Sequence, residues 1–266
     1  MIKFFRKIRQ KTLTENKFGK YLTYAIGEII LVVIGILIAL SINTWNQNNQ
    51  NRKQEKEILN QLLSEYKNNL TQLKSKISIR KEIVNSSIKL LDYANSNIQS
   101  VNNDSLNNYL NLLILRPTFD PELSVSGELI NSGKLYLLTN SELRNKVSVF
   151  SSSLSELKEE ETIIVNWVEE RILPFLIEHY QIGRISTSFL DDEKLREIVT
   201  QIKFSKEKSL MTLFKQSDPS ELLKHPDFED YLSIMIVNTI YTNDQSYGVK
   251  NKIEEIILRI EKEIEK

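Results

Sequence analysis

Glu28 stands alone in the otherwise uncharged run "GEIILVVIGILIAL", and a carboxylate in such surroundings can be protonated, accept from a partner helix, or reach back toward headgroups. The other residues with chemical potential lie far down the chain. Glu156, Glu159, Glu160, Glu161, Glu169 and Glu170 could supply carboxylates for a cation or for acid–base work, although a charge run on a helix is more commonly a solvated face. His179 follows Glu178 and His225 precedes Pro226; without the i, i+4 pairing of a helical zinc site they read as two unrelated surface or boundary residues. "SVSGE", Ser124 to Glu128, lacks the leading glycine of a nucleophile elbow, and no strand is predicted before it. Gly127, Gly133, Gly183 and Gly248 are scattered, so no glycine-rich phosphate loop is present. The sequence has no cysteine, which removes disulfides, thiolate metal sites and a cysteine nucleophile. These residues select no catalytic, cofactor or metal site, and the expectation is a protein that is not an enzyme.

The elements that would position Glu28 are set by a segregation of charge. Residues 1 to 20 carry seven cations against one acid, whereas residues 46 to 266 carry 28 Lys and Arg against 33 Asp and Glu. The basic end is therefore local, and no nucleic-acid partner is expected. Between them, Leu22 to Ile42 has Glu28 as its only charge and spans about 31 Å at ~1.5 Å per residue, close to the ~30 Å of a hydrocarbon core. Tyr21 and Tyr24 at one end and Trp45 at the other stand where aromatic rings anchor at membrane interfaces. The positive-inside rule then predicts a cytoplasmic N-terminus, with everything after Trp45 outside the cytoplasm. A cleaved signal peptide is the alternative, since Ala39-Leu40-Ser41 places small residues at a suitable spacing. The long basic lead and the length of the apolar run favour a retained anchor.

At about 100° per residue, Gly35 and Ala39 fall within about 20° of Glu28 on either side. Gly35-x-x-x-Ala39 is a spacing that lets a second helix approach closely, so Glu28, Gly35 and Ala39 form a candidate helix–helix contact with another membrane protein or a second copy. Ahead of the span, "MIKFFRKIRQKTL" gathers Ile2, Phe4, Phe5 and Ile8 on one side of a helix against Lys3, Arg6 and Lys7, with Arg9 falling on the apolar side. Lys3, Arg6, Lys7 and Arg9 are the expected contacts to anionic lipid of the inner leaflet; an unstructured basic tail is the plainer reading.

After Trp45 the pattern is helical throughout. Leu63, Leu70, Ile77, Val84 and Leu91 recur every seven residues, and Leu59, Tyr66 and Leu73 repeat on the complementary register, which continues as Arg80 and Ser87. That seam closes either between two chains as a coiled coil or against later helices of its own chain. Without proline or glycine between Gly35 and Pro117, one helix is predicted to run from the span to about Tyr93. Asp104-Ser105 offers a cap for a short helix over Leu106 to Leu115, turns follow at Pro117 and Pro121, and Ser132-Gly133 is a turn. Asn140 or Ser141 opens a long helix that kinks or breaks at Pro174. "IGRISTSF" reads as a loop, Leu190 to Ile202 as a helix, Asp227 to about Tyr241 as another, and the Ile253 to Ile264 tail as a last amphipathic helix. The expected fold is all-α: a single N-terminal transmembrane helix, a long heptad-patterned helix and an elongated helical bundle. Its divisions are 1–21 (basic segment), 22–45 (transmembrane helix), 46–98 (helical stalk) and 99–266 (extracytoplasmic domain).

"MIKFFRKIRQ", "ENKFGKYLTYAIGEIILVVIGILIAL" and "INTWN", followed by "SGKLYLL" and "LRNKV", resemble a family of uncharacterised single-pass bacterial membrane proteins that carry a domain of unknown function. Ser41 and Thr44 depart from its glutamine and asparagine. The resemblance implies inner-membrane anchoring and a helical outer domain, and it implies no known activity. It also makes Glu28 part of a membrane signature, which suits a partner contact. The expected function is a scaffold or accessory subunit; a small-molecule sensor bundle and a carboxylate-based membrane-surface hydrolase are the competing classes.

Overall fold

The computed structural model describes residues 6, 10, 18–96, 101–191, 193, 196–197 and 213–266. Among them there is no strand, and the chain divides into two compact units, Met1–Glu57 and Ile58–Lys266. The all-α fold with a long apolar N-terminal helix followed by further helices is what the period of the sequence predicts.

Helix α1 runs unbroken from Phe18 to Ala94. In the first unit, no part of its most apolar window is buried. The hydroxyls of Thr23 and Ser41 donate to the carbonyls of Gly19 and Leu37 one turn back, so neither is left bare on the apolar surface. One helix is thus long and apolar enough to cross a membrane.

The second unit contains the rest of α1 with α2 (Asn103–Leu113), α3 (Ser124–Asn131), α4 (Ser141–Phe150), α5 (Ser155–Trp167), α6 (Leu173–His179), α7 (Gly183–Asp191), α8 (Ser220–Leu223) and α9 (Pro226–Ile264). Helices α4, α5 and α6 follow one path, joined by 3-10 residues Ser151–Leu154 and a π-turn at Val168–Ile172. Three long rods therefore carry the core. Ion pairs Lys67–Glu261 and Lys74–Glu254, with Arg259–Glu142 and Lys146–Glu255, show α9 running opposite to α1 and α4.

Apolar burial comes in two layers. One gathers Leu59, Leu62, Tyr66 and Leu73 of α1 with Leu143, Val147 and Phe150 of α4, Leu157 of α5, and Val249, Ile253, Ile256 and Ile260 of α9. The other gathers Ile83 and Leu90 with Leu106 and Leu110 of α2, Ile164, Val168, Ile172, Leu176, and Phe228, Leu232 and Met235. Fully burying each such side chain contributes about 1.5–3 kcal/mol, so these layers dominate stability.

Several local expectations need correction. The buried stripe of α1 holds Leu59, Tyr66, Leu73, Arg80 and Ser87 through its whole length, while Leu63, Leu70, Val84 and Leu91 are only half-buried because Leu62, Asn69, Ile83 and Leu90 take the inner positions. From Ile58 onward this seam packs on later helices of the same chain. Asn102, not Asp104, caps α2 by accepting from the Ser105 N–H. Asn140 does cap α4, through the Glu142 and Leu143 N–H groups, and Gly133 takes the left-handed φ of 69° that ends the turn after α3. Pro174 breaks nothing: the Leu173 N–H reaches back to Val168 O, and this wider turn accommodates a residue that cannot donate. "IGRISTSF" is helical, because Ile185 is fully buried against α2 and tertiary burial outweighs the weak propensities of glycine, serine and threonine. The two C-terminal helices are one, with the polar "YTNDQSYG" stretch inside it. The helix expected over Leu190 to Ile202 falls largely outside the described residues.

Candidate functional site

Of the residues singled out in the apolar span, Glu28, Gly35 and Ala39 are exposed on α1, and beyond the helix's own neighbouring backbone no described atom comes within 4 Å of where a Gly35 side chain would begin. Tyr24 is 80% exposed and Trp45 67%. The side chain of Tyr21, and Lys3, Lys7 and Arg9 altogether, lie outside the described residues; Arg6 is helical and exposed.

The site that the bundle itself builds lies between its two apolar layers. Each of the three rods places polar residues at the same depth: Arg80 on α1, Glu161 on α5, and Thr239, Thr242, Asn243 and Ser246 on α9, all buried. Arg80 and Glu161 form a direct ion pair, and Arg80 further donates to Ser246 Oγ at 2.7 Å and Pro117 O at 2.9 Å. Glu161 accepts the Phe119 N–H on both oxygens, at 3.0 and 3.1 Å. Asn243 donates to Ile77 O at 3.4 Å. Desolvation raises the Glu161 carboxyl above the ordinary carboxylate range and lowers the Arg80 guanidinium below its own, each opposed by the other's charge. Arg80 Nε, Thr239 Oγ1 and Asn243 Oδ1 have no partner among the described residues, at about 1–3 kcal/mol each unless water reaches them.

The same face of α1 holds the connection from Pro117 to Ser126. Gln72 exchanges two hydrogen bonds with the Asp120 backbone at 3.0 and 3.1 Å, and Asn69 does so with Glu122 at 2.7 and 2.8 Å. Glu65 accepts the N–H groups of Val125 and Ser126, neutralising the positive end of α3. Glu65, Asn69, Gln72 and Arg80 thus read the backbone of an extended strap in register. Sequence reasoning missed them; Arg80 was visible as a cation on an apolar heptad seam, and Glu161 was hidden within an acidic run. Glu156, Glu159 and Glu170 are exposed as a solvated face, and Glu169 pairs with Arg116 at 2.7 Å.

The two histidines are not unrelated. Their ring centroids lie 4.5 Å apart, and Phe175 packs against both. His179 bonds Glu221 through Nδ1 at 3.0 Å, and His225 Nδ1 accepts the Asp227 N–H, which makes it the cap of α9. Among the described residues no group of three or more His, Asp or Glu could hold a metal.

No curated protein and no solved structure matches this chain. Residues 28–153, just under half of the chain from Glu28 through the strap to the start of the Glu161 rod, match the model of a family of unknown function, DUF6090, so the chain is similar to an uncharacterised domain family.

Proposed function

We propose that this chain is a membrane-anchored helical protein of the bacterial inner membrane, with its N-terminus cytoplasmic and its bundle periplasmic, that acts by binding other proteins as a scaffold or accessory subunit. The observation carrying this reading is the apolar window of α1, of which no part is buried, with Glu28, Gly35 and Ala39 on one exposed face. A core helix of a soluble bundle would be covered; this one is bare and is suited to lipid and to one partner helix. Lys3, Arg6, Lys7 and Arg9 orient the span and contact anionic lipid. The reading is of a binder rather than an enzyme because the titratable pair gathered in the bundle, Arg80 and Glu161, is committed to the strap backbone and to itself.

The test is purification of the tagged protein from its own membrane in mild detergent, with the mass of the intact complex measured and its chains identified. A stoichiometric membrane partner that is lost on Glu28→Gln and on Gly35→Leu supports the reading. A lone monomer, or a complex indifferent to both substitutions, overturns it.

A further inference from the structure

Beside the π-turn lies an open groove of about 340 Å³ lined by Trp167, Arg171, Asp227, Asp230, Tyr231 and Ile234. Its aromatic wall is held in place. The Trp167 indole N–H donates to Tyr231 O at 3.4 Å, the two rings stand 5.5 Å apart, and Tyr231 packs in turn on buried Phe175 at 4.7 Å. Both rings of the wall are half-buried. Arg171, Asp227 and Asp230 stand exposed around them, and none of the three is in an ion pair among the described residues. The groove therefore offers apolar ring surface beside one planar donor group and two acceptor carboxylates, all with hydrogen-bonding capacity to spare.

We infer that this groove binds a saccharide, a neutral sugar ring lying against the part of Trp167 and Tyr231 that their packing on each other and on Phe175 leaves uncovered, with its hydroxyls bonded to Arg171, Asp227 and Asp230. A sugar ring has an apolar C–H face and a rim of hydroxyls that both donate and accept, which is what this wall and this rim complement. A quaternary ammonium needs rings splayed around it, whereas these two pack on each other. A phosphate would face two carboxylates against one guanidinium. The groove's volume is at the small end for ligand sites and suits one or two rings. The inference stands independently of the membrane reading.

The chain has two tryptophans, so Trp45→Phe leaves Trp167 as the sole indole, and its fluorescence reports on the groove. The full-length variant, kept in a detergent without a sugar headgroup, is titrated with maltose, cellobiose and di-N-acetylchitobiose, and with glycine betaine as a zwitterionic comparison. The expected result is a saturable change with at least one of them, weakened tenfold or more by Asp230→Asn and by Arg171→Gln, both of which keep the parent melting temperature. No saturable response to any of the three, a response unmoved by both substitutions, or a response to glycine betaine alone overturns it.

Discussion

Two carboxylates in apolar surroundings are treated oppositely by this chain. Glu161 is buried in the bundle and meets a guanidinium and a backbone N–H, so the cost of taking its charge out of water is offset inside one polypeptide. Glu28 lies on an apolar helix that nothing described in the chain covers, with no hydrogen bond or ion pair to a described residue. One charge is answered by folding, and the other has no answer among the described residues of the chain. A buried pair shows how a fold is pinned, and a bare carboxylate shows where this fold supplies no covering contact among the described residues.

The sharpest way to break this comparison is to remove one member of the buried pair. Glu161→Leu leaves Arg80 buried and uncompensated and is expected to cost about 3–5 kcal/mol of bundle stability by urea denaturation, with the Arg80→Met, Glu161→Leu double variant recovering part of that loss. A single-variant cost below about 1 kcal/mol would place the pair in water and erase the contrast.

Next in size is an alkaline effect of the same burial. Tyr66 and Tyr180 both have hydroxyls raised above the usual phenol value, chiefly by desolvation, and for Tyr180 the Gln216 hydrogen bond opposes it. Because the folded values lie above the unfolded ones, their contribution to stability is complete below pH ~10. It is lost as pH rises from there through the folded value, by about 1.4 kcal/mol per pH unit for each group. Absorbance of ionised tyrosine should rise for most of the ten tyrosines first, and for these two only with loss of helical circular dichroism. If all titrate together with the helices intact, their burial is wrong.

Smaller effects sharpen the contrast. Gln181 follows α6 with a φ of 64°, a left-handed conformation that glycine adopts without strain. Gln181→Gly should therefore stabilise the bundle by up to about 1 kcal/mol, and a clear destabilisation would mean the Gln181 side chain has a role of its own. The smallest expected effect is that of Glu28→Leu on the unfolding of the bundle, within about 0.5 kcal/mol of zero, since Glu28 is an exposed residue of the other compact unit. A larger change would show that Glu28 is answered within the chain after all.

Much of the fold was legible because it is written locally. The absence of proline and glycine after Gly35 predicted one helix to about Tyr93, and α1 ends at Ala94. Asn140 and Gly133 behave as a cap and a left-handed turn residue because each acts on neighbours within a few positions. The errors arose where a distant contact outweighed the local signal. "IGRISTSF" became helix because Ile185 meets α2, and "YTNDQSYG" stayed helix because Thr242, Asn243 and Ser246 within it face the buried layer rather than water. The candidate site was hidden for the same reason: Arg80 lies 81 residues from Glu161 and 166 from Ser246.

The sequence by itself determined the charge-free flanks of Glu28, the place of Glu28, Gly35 and Ala39 on one helical face, and the all-helical class of the described residues after it, since all of these follow from composition and from a period of about 3.6 residues. Only the tertiary structure decided which side of the heptad seam is innermost, that the two histidines meet, and that a polar layer and an extended strap lie within the bundle. Those depend on which helices become neighbours, and that choice is made by the sum of burial across the whole chain rather than by any single stretch of it.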